Sequence, residues 1–231
     1  MPTPRLGEIR ACVFDAYGTL FDFTAAAARC RDALGGKDAE LSARWRLRQL
    51  QYTWLRSLMG RHADFWTVTG EALTVTLAEL GLADGVLHNR LMECYRRLDA
   101  YTEVAGVLKA LKEAGLKRAI LSNGSPAMLA DAVANAGIVP LLDHVLSIED
   151  AGIFKPHPSA YALAEARMGV HPTEICFLSS NGWDAHGAAV FGFRAAWVNR
   201  AGLPREILPG TLAAEIRDLT ELPALLGISS A

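Results

Sequence analysis

Short apolar runs recur along the chain, and each one stops at a polar residue or a turn signal. These runs are Ala11 to Phe14, Arg118 to Ser122, His144 to Ser147, Ile175 to Ser180 and Ala195 to Asn199. Between them lie helical patterns, such as Val104 to Ala114 and Pro126 to Ala136, with Gly115 and Gly137 placed as C-terminal stops. The alternation of strand and helix predicts an α/β fold with a doubly wound, parallel, Rossmann-like sheet.

One long stretch interrupts this alternation. From roughly Asp22 to Asp99 the pattern is helical, with segments at Leu41 to Met59, Trp66 to Leu80 and Gly85 to Leu98. A helical insertion after the first strand would lie above the strand ends, where ligands bind in such sheets. We therefore expect a Rossmann-like catalytic core of residues 1–21 and 100–231, with residues 22–99 inserted as a helical cap.

Composition and charge narrow the class of protein. The chain has 231 residues, of which 51% are hydrophobic, and a formal net charge of −2, so no basic field favours nucleic acid or an anionic membrane. The first ten residues contain no signal-peptide hydrophobic region, and no apolar run reaches the roughly 20 residues that span a bilayer. Cys12, Cys30, Cys94 and Cys176 lack metal-binding spacing, and Cys12 and Cys176 fit buried positions. We expect a reduced, cytoplasmic protein.

Four polar clusters follow the apolar runs and would meet at the carboxyl edge of the sheet. They are Asp15-Ala-Tyr-Gly-Thr19, Ser122-Asn-Gly124, Lys155-Pro156 and Ser179-Ser-Asn-Gly-Trp-Asp184. One acidic residue at a strand end is as consistent with a turn cap as with a nucleophile. Four such clusters in this order favour a catalytic site in which Asp15 is the nucleophile.

These clusters resemble the haloacid dehalogenase superfamily, and within it the L-2-haloacid, or (S)-2-haloacid, dehalogenases. The resemblance runs from about Arg10 to Arg200 and includes the Trp45-Arg46 pair of the helical insertion. Phosphatases of the superfamily carry a second Asp two positions after the nucleophile, where this chain has Tyr17.

Phosphatases also tend to carry Gly-Asp where this chain has Ser179-Ser180. Asp15 and Asp184 alone make a poor magnesium site, because Mg²⁺ prefers octahedral oxygen ligation. We therefore expect neither a metal nor a cofactor.

The resemblance implies metal-independent hydrolysis of small (S)-2-haloalkanoic acids to (R)-2-hydroxyalkanoic acids. Asp15 would attack the halogen-bearing carbon, expel halide and form an ester that water then hydrolyses. Lys155 would stabilise the ionised form of Asp15 and orient it, and Asp184 would activate the water. By the same resemblance, supporting hydrogen bonds come from Thr19, Tyr161, Ser179 and Asn181.

Substrate and halide binding fall to other groups in the same family pattern. The substrate carboxylate would bind Ser122, Asn123 and backbone amides near Ala16 and Tyr17. Arg46 would reach from the insertion to draw off the halide, in a cradle completed by Asn123 and Trp183. The apolar pocket for the α-substituent would be lined by Tyr17, Leu50, Phe65 and Trp183.

Several of these residues have plainer interpretations. Thr19 and Ser122 are equally consistent with helix N-caps, Lys155 with an exposed charge and Arg46 with a solvated helix arginine. Plain packing would account for Leu50, Phe65, Tyr161 and Trp183. The chain also departs from the family pattern, with Leu47 in place of the usual Gln, His157 in place of Asp and Gly182 in place of Ala.

Two other functions stay open: a magnesium-dependent phosphatase of the same superfamily acting on a small phosphorylated metabolite, and a non-catalytic binding protein on this scaffold. The presence of both Lys155 and Asp184 weighs against the second. The resemblance further implies a homodimer. An apolar stripe consists of Trp54, Leu55, Leu58 and Met59, and it fits either core or interface, with core favoured.

Overall fold

The structure, a computed structural model, describes residues 6–228. Its centre is a six-stranded parallel sheet in the order β3-β2-β1-β4-β5-β6. The strands are β1 (Ala11–Phe14), β2 (Lys117–Ser122), β3 (His144–Ser147), β4 (Ile175–Ser179), β5 (Arg194–Val198) and β6 (Ala214–Ile216). The predicted fold class is confirmed. The apolar runs predicted the first five strands, and β6 was not predicted.

Helices cover both faces of this sheet, which explains why β1 and β4 are apolar and buried along their whole length. The helices of this part are α5 (Val104–Glu113), α6 (Pro126–Asn135), α7 (Pro158–Met168), α8 (Gly182–Phe191) and α9 (Leu222–Leu225). Gly115 and Gly137 follow α5 and α6 with φ values of +77° and +66°, so the predicted stops are confirmed. Cys12 and Cys176 are buried partners in β1 and β4, as expected.

The strand order places a crevice beside the first strand. From β1 the next two strands are added on one side and β4 to β6 on the other, so the order of the strands reverses at the β1–β4 pair. In open α/β sheets such a reversal separates the loops at the carboxyl ends and leaves a ligand crevice there. Asp15 follows β1 at this point, and its backbone N–H donates to Leu178 O at 2.8 Å.

Four helices separate β1 from α5. They are α1 (Ala25–Ala28), α2 (Asp38–Met59), α3 (Phe65–Glu79) and α4 (Gly85–Arg96), and within the described chain this stretch contains no strand, as predicted. Asp64 caps α3 by accepting from Thr67 N at 3.0 Å, and Asp84 caps α4 by accepting from Val86 N at 3.1 Å. The helices α2 and α3 form the largest contact within this segment.

The backbone enters and leaves the helical segment at neighbouring points. Asp22 N donates to Asp99 O at 3.0 Å, and Tyr101 N donates to Leu20 O at 2.9 Å. The division into core 1–21 and 100–231 and cap 22–99 stays a prediction. Residues 1–5 and 229–231 of the predicted core lie outside the described residues.

The helical segment also contacts the core beside the carboxyl edge of the sheet. His62 Nε2 lies 2.8 Å from Glu149 Oε2, and Phe154 N donates to Ser57 Oγ at 3.4 Å. The ring of Phe65 in α3 lies 6.2 Å from that of Phe154, measured between ring centres. Through these contacts the helical segment covers the loop that carries Lys155.

The C-terminal end of α2 bears an exposed apolar patch, which we call the α2 patch: Leu55, Leu58 and Met59. Their exposed fractions are 49%, 85% and 64%. The sequence interpretation of these residues as core is wrong, because the buried residues of α2 end at Thr53 and its last turns are not covered by another helix. In the described residues, no helix combines the length and hydropathy required to cross a membrane.

Candidate active site

Four groups surround the carboxylate of Asp15. Lys155 Nζ lies 3.2 Å from Oδ1, and Asn181 Nδ2 donates to Oδ2 at 2.9 Å. Thr19 Oγ1 and Ser179 Oγ each lie 3.5 Å from Oδ2. The strands explain this convergence, because β1 and β4 are neighbours and end at the same edge of the sheet. Asp15 is buried, so its charge depends on these partners.

Lys155 also contacts a second carboxylate. Its Nζ lies 3.0 Å from Asp184 Oδ2 and 5.0 Å from the centre of the Phe177 ring. With 1% of its surface exposed, Lys155 is not the exposed charge that the plainer interpretation allowed. One ammonium group thus lies between the two carboxylates of Asp15 and Asp184.

Asp184 stands in the first turn of α8 and is fully buried. Tyr161 Oη donates to its Oδ1 at 2.8 Å, so Tyr161 has a polar partner as well as packing contacts. Burial raises the pKa of Asp184, while the charge of Lys155 opposes that shift. Burial also raises the pKa of Tyr161, with the nearby charge of Asp184 adding to the effect, so its phenol remains a donor. A carboxylate with a raised pKa is a better acceptor of a proton from water.

The turn after β1 is tied to the end of β4. Thr19 Oγ1 accepts from Ser180 N at 2.8 Å and lies 3.2 Å from Ser180 Oγ. Gly18 has φ +88°, and a Cβ there would lie 2.8 Å from Ser180 Oγ, so this position requires glycine. Arg200 donates to Thr19 O at 2.9 Å. Thr19 is therefore a turn residue beside Asp15, and its interpretation as a helix N-cap is wrong.

The end of β2 supplies the second predicted cluster. Ser122 is the last residue of β2, and its Oγ accepts from Gly124 N at 3.1 Å. The N-cap of α6 is Ser125, so the N-cap interpretation of Ser122 is also wrong. Asn123 Oδ1 accepts from Lys155 N at 3.0 Å, which connects the end of β2 to the Lys155 loop.

Arg46 reaches the site from α2. Its guanidinium lies 3.4 Å from Asn181 Oδ1, donates to Gln49 Oε1 at 2.7 Å and lies 5.1 Å from the centre of the Phe23 ring. The interpretation of Arg46 as a solvated helix arginine is wrong. Since the same Asn181 amide donates to Asp15, Asn181 connects the arginine to the carboxylate.

The predicted apolar pocket residues lie in three places in the structure. Tyr17 lies with its ring centre 5.8 Å from that of Phe65, and burial raises the pKa of its phenol. Leu50 lines a cavity of about 580 Å³ with Arg46. Trp183 instead lines a separate cavity of about 600 Å³, where it packs edge-on against Trp54. Ala16 is fully buried, and its carbonyl oxygen accepts from Leu20 N at 2.8 Å.

The three departures from the family pattern have visible surroundings. Leu47 is 57% exposed and lines the same cavity as Leu50, so it adds apolar surface beside Arg46. His157 caps α7 by accepting from Ser159 N at 3.2 Å, a role that Asp also fills. A Cβ at Gly182 would lie 2.8 Å from Glu206 Cγ, so the missing methyl makes room for that side chain.

Two residues near Asp15 were not predicted as site residues. Ser180 contacts Thr19, and the sequence signal for it was its place directly after Ser179. Gln49 contacts Arg46, and the sequence signal for it was its place three positions after Arg46, which puts both on the same side of the helix. Among residues 6–228, no group of three or more His, Cys, Asp or Glu side chains is placed to hold a metal ion.

The chain combines a parallel α/β sheet, an aspartate after its first strand, a buried lysine and a helical segment over the strand ends. This combination is typical of one class of hydrolases, and comparisons with known proteins agree. The family model of haloacid dehalogenase-like hydrolases matches residues 9–192, and the chain belongs to this family. It is 46% identical to (S)-2-haloacid dehalogenase 1 of Pseudomonas sp. (strain CBS-3), an alignment that covers 96% of this chain and 98% of that protein.

Two further relatives strengthen the assignment. (S)-2-haloacid dehalogenase 4A of Burkholderia cepacia is 47% identical, over 95% of each chain. A solved structure of L-2-haloacid dehalogenase from Xanthobacter autotrophicus with chloropropionic acid covalently bound superposes with a TM-score of 0.87 at 41% identity, covering 96% of this chain and 100% of that one. The resemblance drawn from the polar clusters is thus confirmed.

Proposed function

We propose that this protein hydrolyses small (S)-2-haloalkanoic acids to (R)-2-hydroxyalkanoic acids without a metal ion, through an ester on Asp15. The observation that carries the proposal is the buried Asp15 carboxylate beside Lys155 and Asn181, with Tyr17 instead of an acid two positions later. The relatives named (S)-2-haloacid dehalogenase support the substrate class. The covalent chloropropionic acid in the Xanthobacter autotrophicus enzyme supports the ester.

In the first step, one oxygen of Asp15 attacks C2 of the substrate on the face opposite the halogen. The C–O bond forms as the carbon–halogen bond breaks, halide leaves with the bonding electron pair and C2 inverts from (S) to (R). Halide needs no proton to leave, so Tyr17 has no acid role to fill. Arg46, next to Asn181, supplies positive charge for the departing anion.

In the second step, Asp184 takes a proton from water and the oxygen adds to the Cγ carbonyl of the Asp15 ester. The bond between Cγ and the substrate oxygen then breaks, the proton passes to the leaving oxygen, and the 2-hydroxy acid departs. The raised pKa of Asp184 suits this role, and the hydrogen bond from Tyr161 fixes the orientation of its carboxylate. Asp15 now carries one oxygen from water, and it regains its carboxylate when the second proton of that water is released to solvent.

The decisive measurement is halide release from (S)-2-chloropropionate in the presence of EDTA. We expect release with the wild-type chain and none with Asp15→Asn, whereas the control Asp150→Asn, on the exposed surface, retains full release. A single turnover in H₂¹⁸O should place ¹⁸O in Asp15 before it enters the product. Magnesium-dependent phosphate release from p-nitrophenyl phosphate without halide release would overturn the proposal in favour of a phosphatase. Halide binding without turnover would indicate a binding protein.

We also propose that the chain forms a homodimer. The α2 patch of Leu55, Leu58 and Met59 supports this, because contiguous exposed apolar side chains on one helix favour an interface. Sedimentation of the purified chain should give about twice the 24.9 kDa chain mass. A species of chain mass alone at micromolar concentration would contradict the dimer. The cytoplasmic location stays a prediction from the sequence.

A further inference from the structure

Gln49 is a buried polar side chain that the proposed mechanism does not use. Only 1% of its surface is exposed. Its Oε1 accepts from Arg46 at 2.7 Å, and its Nε2 donates to Thr69 Oγ1 at 2.6 Å and to Tyr95 Oη at 3.2 Å. Every polar atom of the amide therefore has a partner, and the partners come from three helices of the insertion.

The partners on α3 and α4 determine which end of the amide faces Arg46. Thr69 Oγ1 donates its own hydrogen to Phe65 O at 2.6 Å, so towards Gln49 it acts as an acceptor. The amide nitrogen must therefore face Thr69, which leaves the amide oxygen for the guanidinium of Arg46. Residues three apart on a helix lie on the same face, so Arg46 and Gln49 meet without a distortion of α2.

The contact matters because Arg46 is otherwise weakly attached. Its bond to Asn181 is long, at 3.4 Å, and its guanidinium also lies over the face of the Phe23 ring and near the Tyr95 hydroxyl. A long side chain that is ordered before the ligand arrives loses less conformational entropy on binding. A positive charge stabilises a departing anion only if it is already in place when the charge develops.

We propose that Gln49 is a positioning residue, which orients the Arg46 guanidinium towards the departing halide before the substrate binds. This inference rests on the proposed function. A neutral amide suits the role, since it accepts from the guanidinium without cancelling its charge. A carboxylate at this position would hold Arg46 equally well and weaken its attraction for an anion.

The test compares Gln49→Met and Gln49→Glu in the wild-type chain and in the Arg46→Lys variant. Gln51→Met, an exposed position on the same helix, is the matched control. We expect Gln49→Met to lower kcat for (S)-2-chloropropionate about tenfold, the effect of losing one hydrogen bond to a charged group. The loss should be smaller for (S)-2-bromopropionate, because bromide departs more easily. In Arg46→Lys, adding Gln49→Met should change kcat less than about twofold, since the two side chains act as a unit.

Gln49→Glu distinguishes the effect of orienting Arg46 from the effect of its positive charge, because a carboxylate keeps the hydrogen bond and offsets the charge. It should raise KM for the anionic substrate, and its thermal midpoint should fall because Thr69 Oγ1 then faces a carboxylate oxygen instead of an amide donor. It carries the test if Gln49→Met does not fold. If Gln49→Met lowers kcat equally for the chloro and bromo substrates, and if this loss is additive with that of Arg46→Lys, Gln49 has a merely structural role and the inference is overturned.

Chloride binding, followed by ³⁵Cl NMR line broadening, needs no turnover and tests the inference separately from the reaction. Gln49→Met should weaken chloride binding, and Gln51→Met should not. If the wild-type chain releases no halide, the proposed function fails and the chloride measurement alone decides the role of Gln49. Unchanged chloride binding in Gln49→Met would then refute it.

Discussion

Replacement of Lys155 by Met tests whether one cation stabilises the two buried carboxylates. Methionine retains most of the length and the apolar stem of lysine and removes the ammonium group. In the wild-type chain that ammonium lies 3.2 Å from Asp15 Oδ1 and 3.0 Å from Asp184 Oδ2. In the variant the two carboxylates share a buried site with no cation between them.

The distances give the size of the effect. At an effective dielectric constant of about 20, two opposite unit charges 3.0 to 3.2 Å apart attract by about 5 kcal/mol, which applies to each carboxylate. Desolvation of the ammonium and repulsion between the carboxylates offset much of this sum. Loss of one partner from a buried ion pair destabilises a protein by about 3–5 kcal/mol. We expect Lys155→Met to lower the free energy of unfolding by about 4 kcal/mol at pH 8.

The loss of unfolding free energy in Lys155→Met should become smaller as pH falls. Burial already raises the pKa of Asp184, and removal of Lys155, whose charge lowers that pKa, raises it further. A carboxyl group whose pKa is higher in the folded than in the unfolded chain favours folding when protonated, and this contribution is lost as pH rises through the folded pKa. At pH 5 the variant should recover at least about 1 kcal/mol relative to the wild-type chain, the equivalent of roughly one pKa unit.

Urea unfolding at fixed protein concentration, at pH 5 and pH 8, measures both quantities. Lys109→Met is the control, because Lys109 is exposed and its nearest acid, Glu113, is 3.8 Å away; this variant should change the unfolding free energy by less than about 0.5 kcal/mol. A deficit for Lys155→Met below about 1 kcal/mol at pH 8, or an equal deficit at both pH values, would refute the reasoning.

Three further changes test other contacts. Tyr161→Phe removes a hydrogen bond that lowers the pKa of Asp184, so the loss of kcat on acidification should begin at a higher pH, and an unshifted profile would exclude Asp184 as the base. Gly187→Ala places a Cβ 2.5 Å from Tyr161 Oη and should cost about 1–3 kcal/mol in urea unfolding, whereas Gly106→Ala, with open space around it, should stabilise slightly. Leu58→Arg should convert the homodimer to a species of chain mass in sedimentation, and an unchanged mass would place the interface elsewhere.

The sequence predicted the central strands well because each is a continuous run that ends at a polar residue or a turn signal. The edge strand β6 escaped prediction, since Ala214–Ile216 is only three residues long and follows an irregular stretch with Gly202 and Gly210. The apolar stripe on α2 shows a different limit. Periodicity identifies an apolar helix face, but whether another helix or solvent meets that face depends on packing that the pattern does not contain.

The site was predictable where its residues follow strands, because parallel strands end at one edge. Asp15 and Ser179 are separated by 164 positions, yet adjacent strands bring them together. Gln49 was not predictable in the same way, since its role depends on how α2, α3 and α4 pack, and Thr69 is 20 positions away on another helix.

The hydrogen bond between the backbones of Asp22 and Asp99, where the helical segment begins and ends, has a consequence for how such enzymes diversify. Because the two ends of the insertion are already hydrogen-bonded to each other, a different helical segment can be spliced in there without a change in the register of any strand. We therefore expect the part that carries Asp15 and Asp184 and the segment that carries Arg46 to be separable modules. We expect recombination at this junction to exchange the residues that Arg46 represents while the aspartate after β1 stays unchanged, and laboratory chimeras should be joined at these two positions.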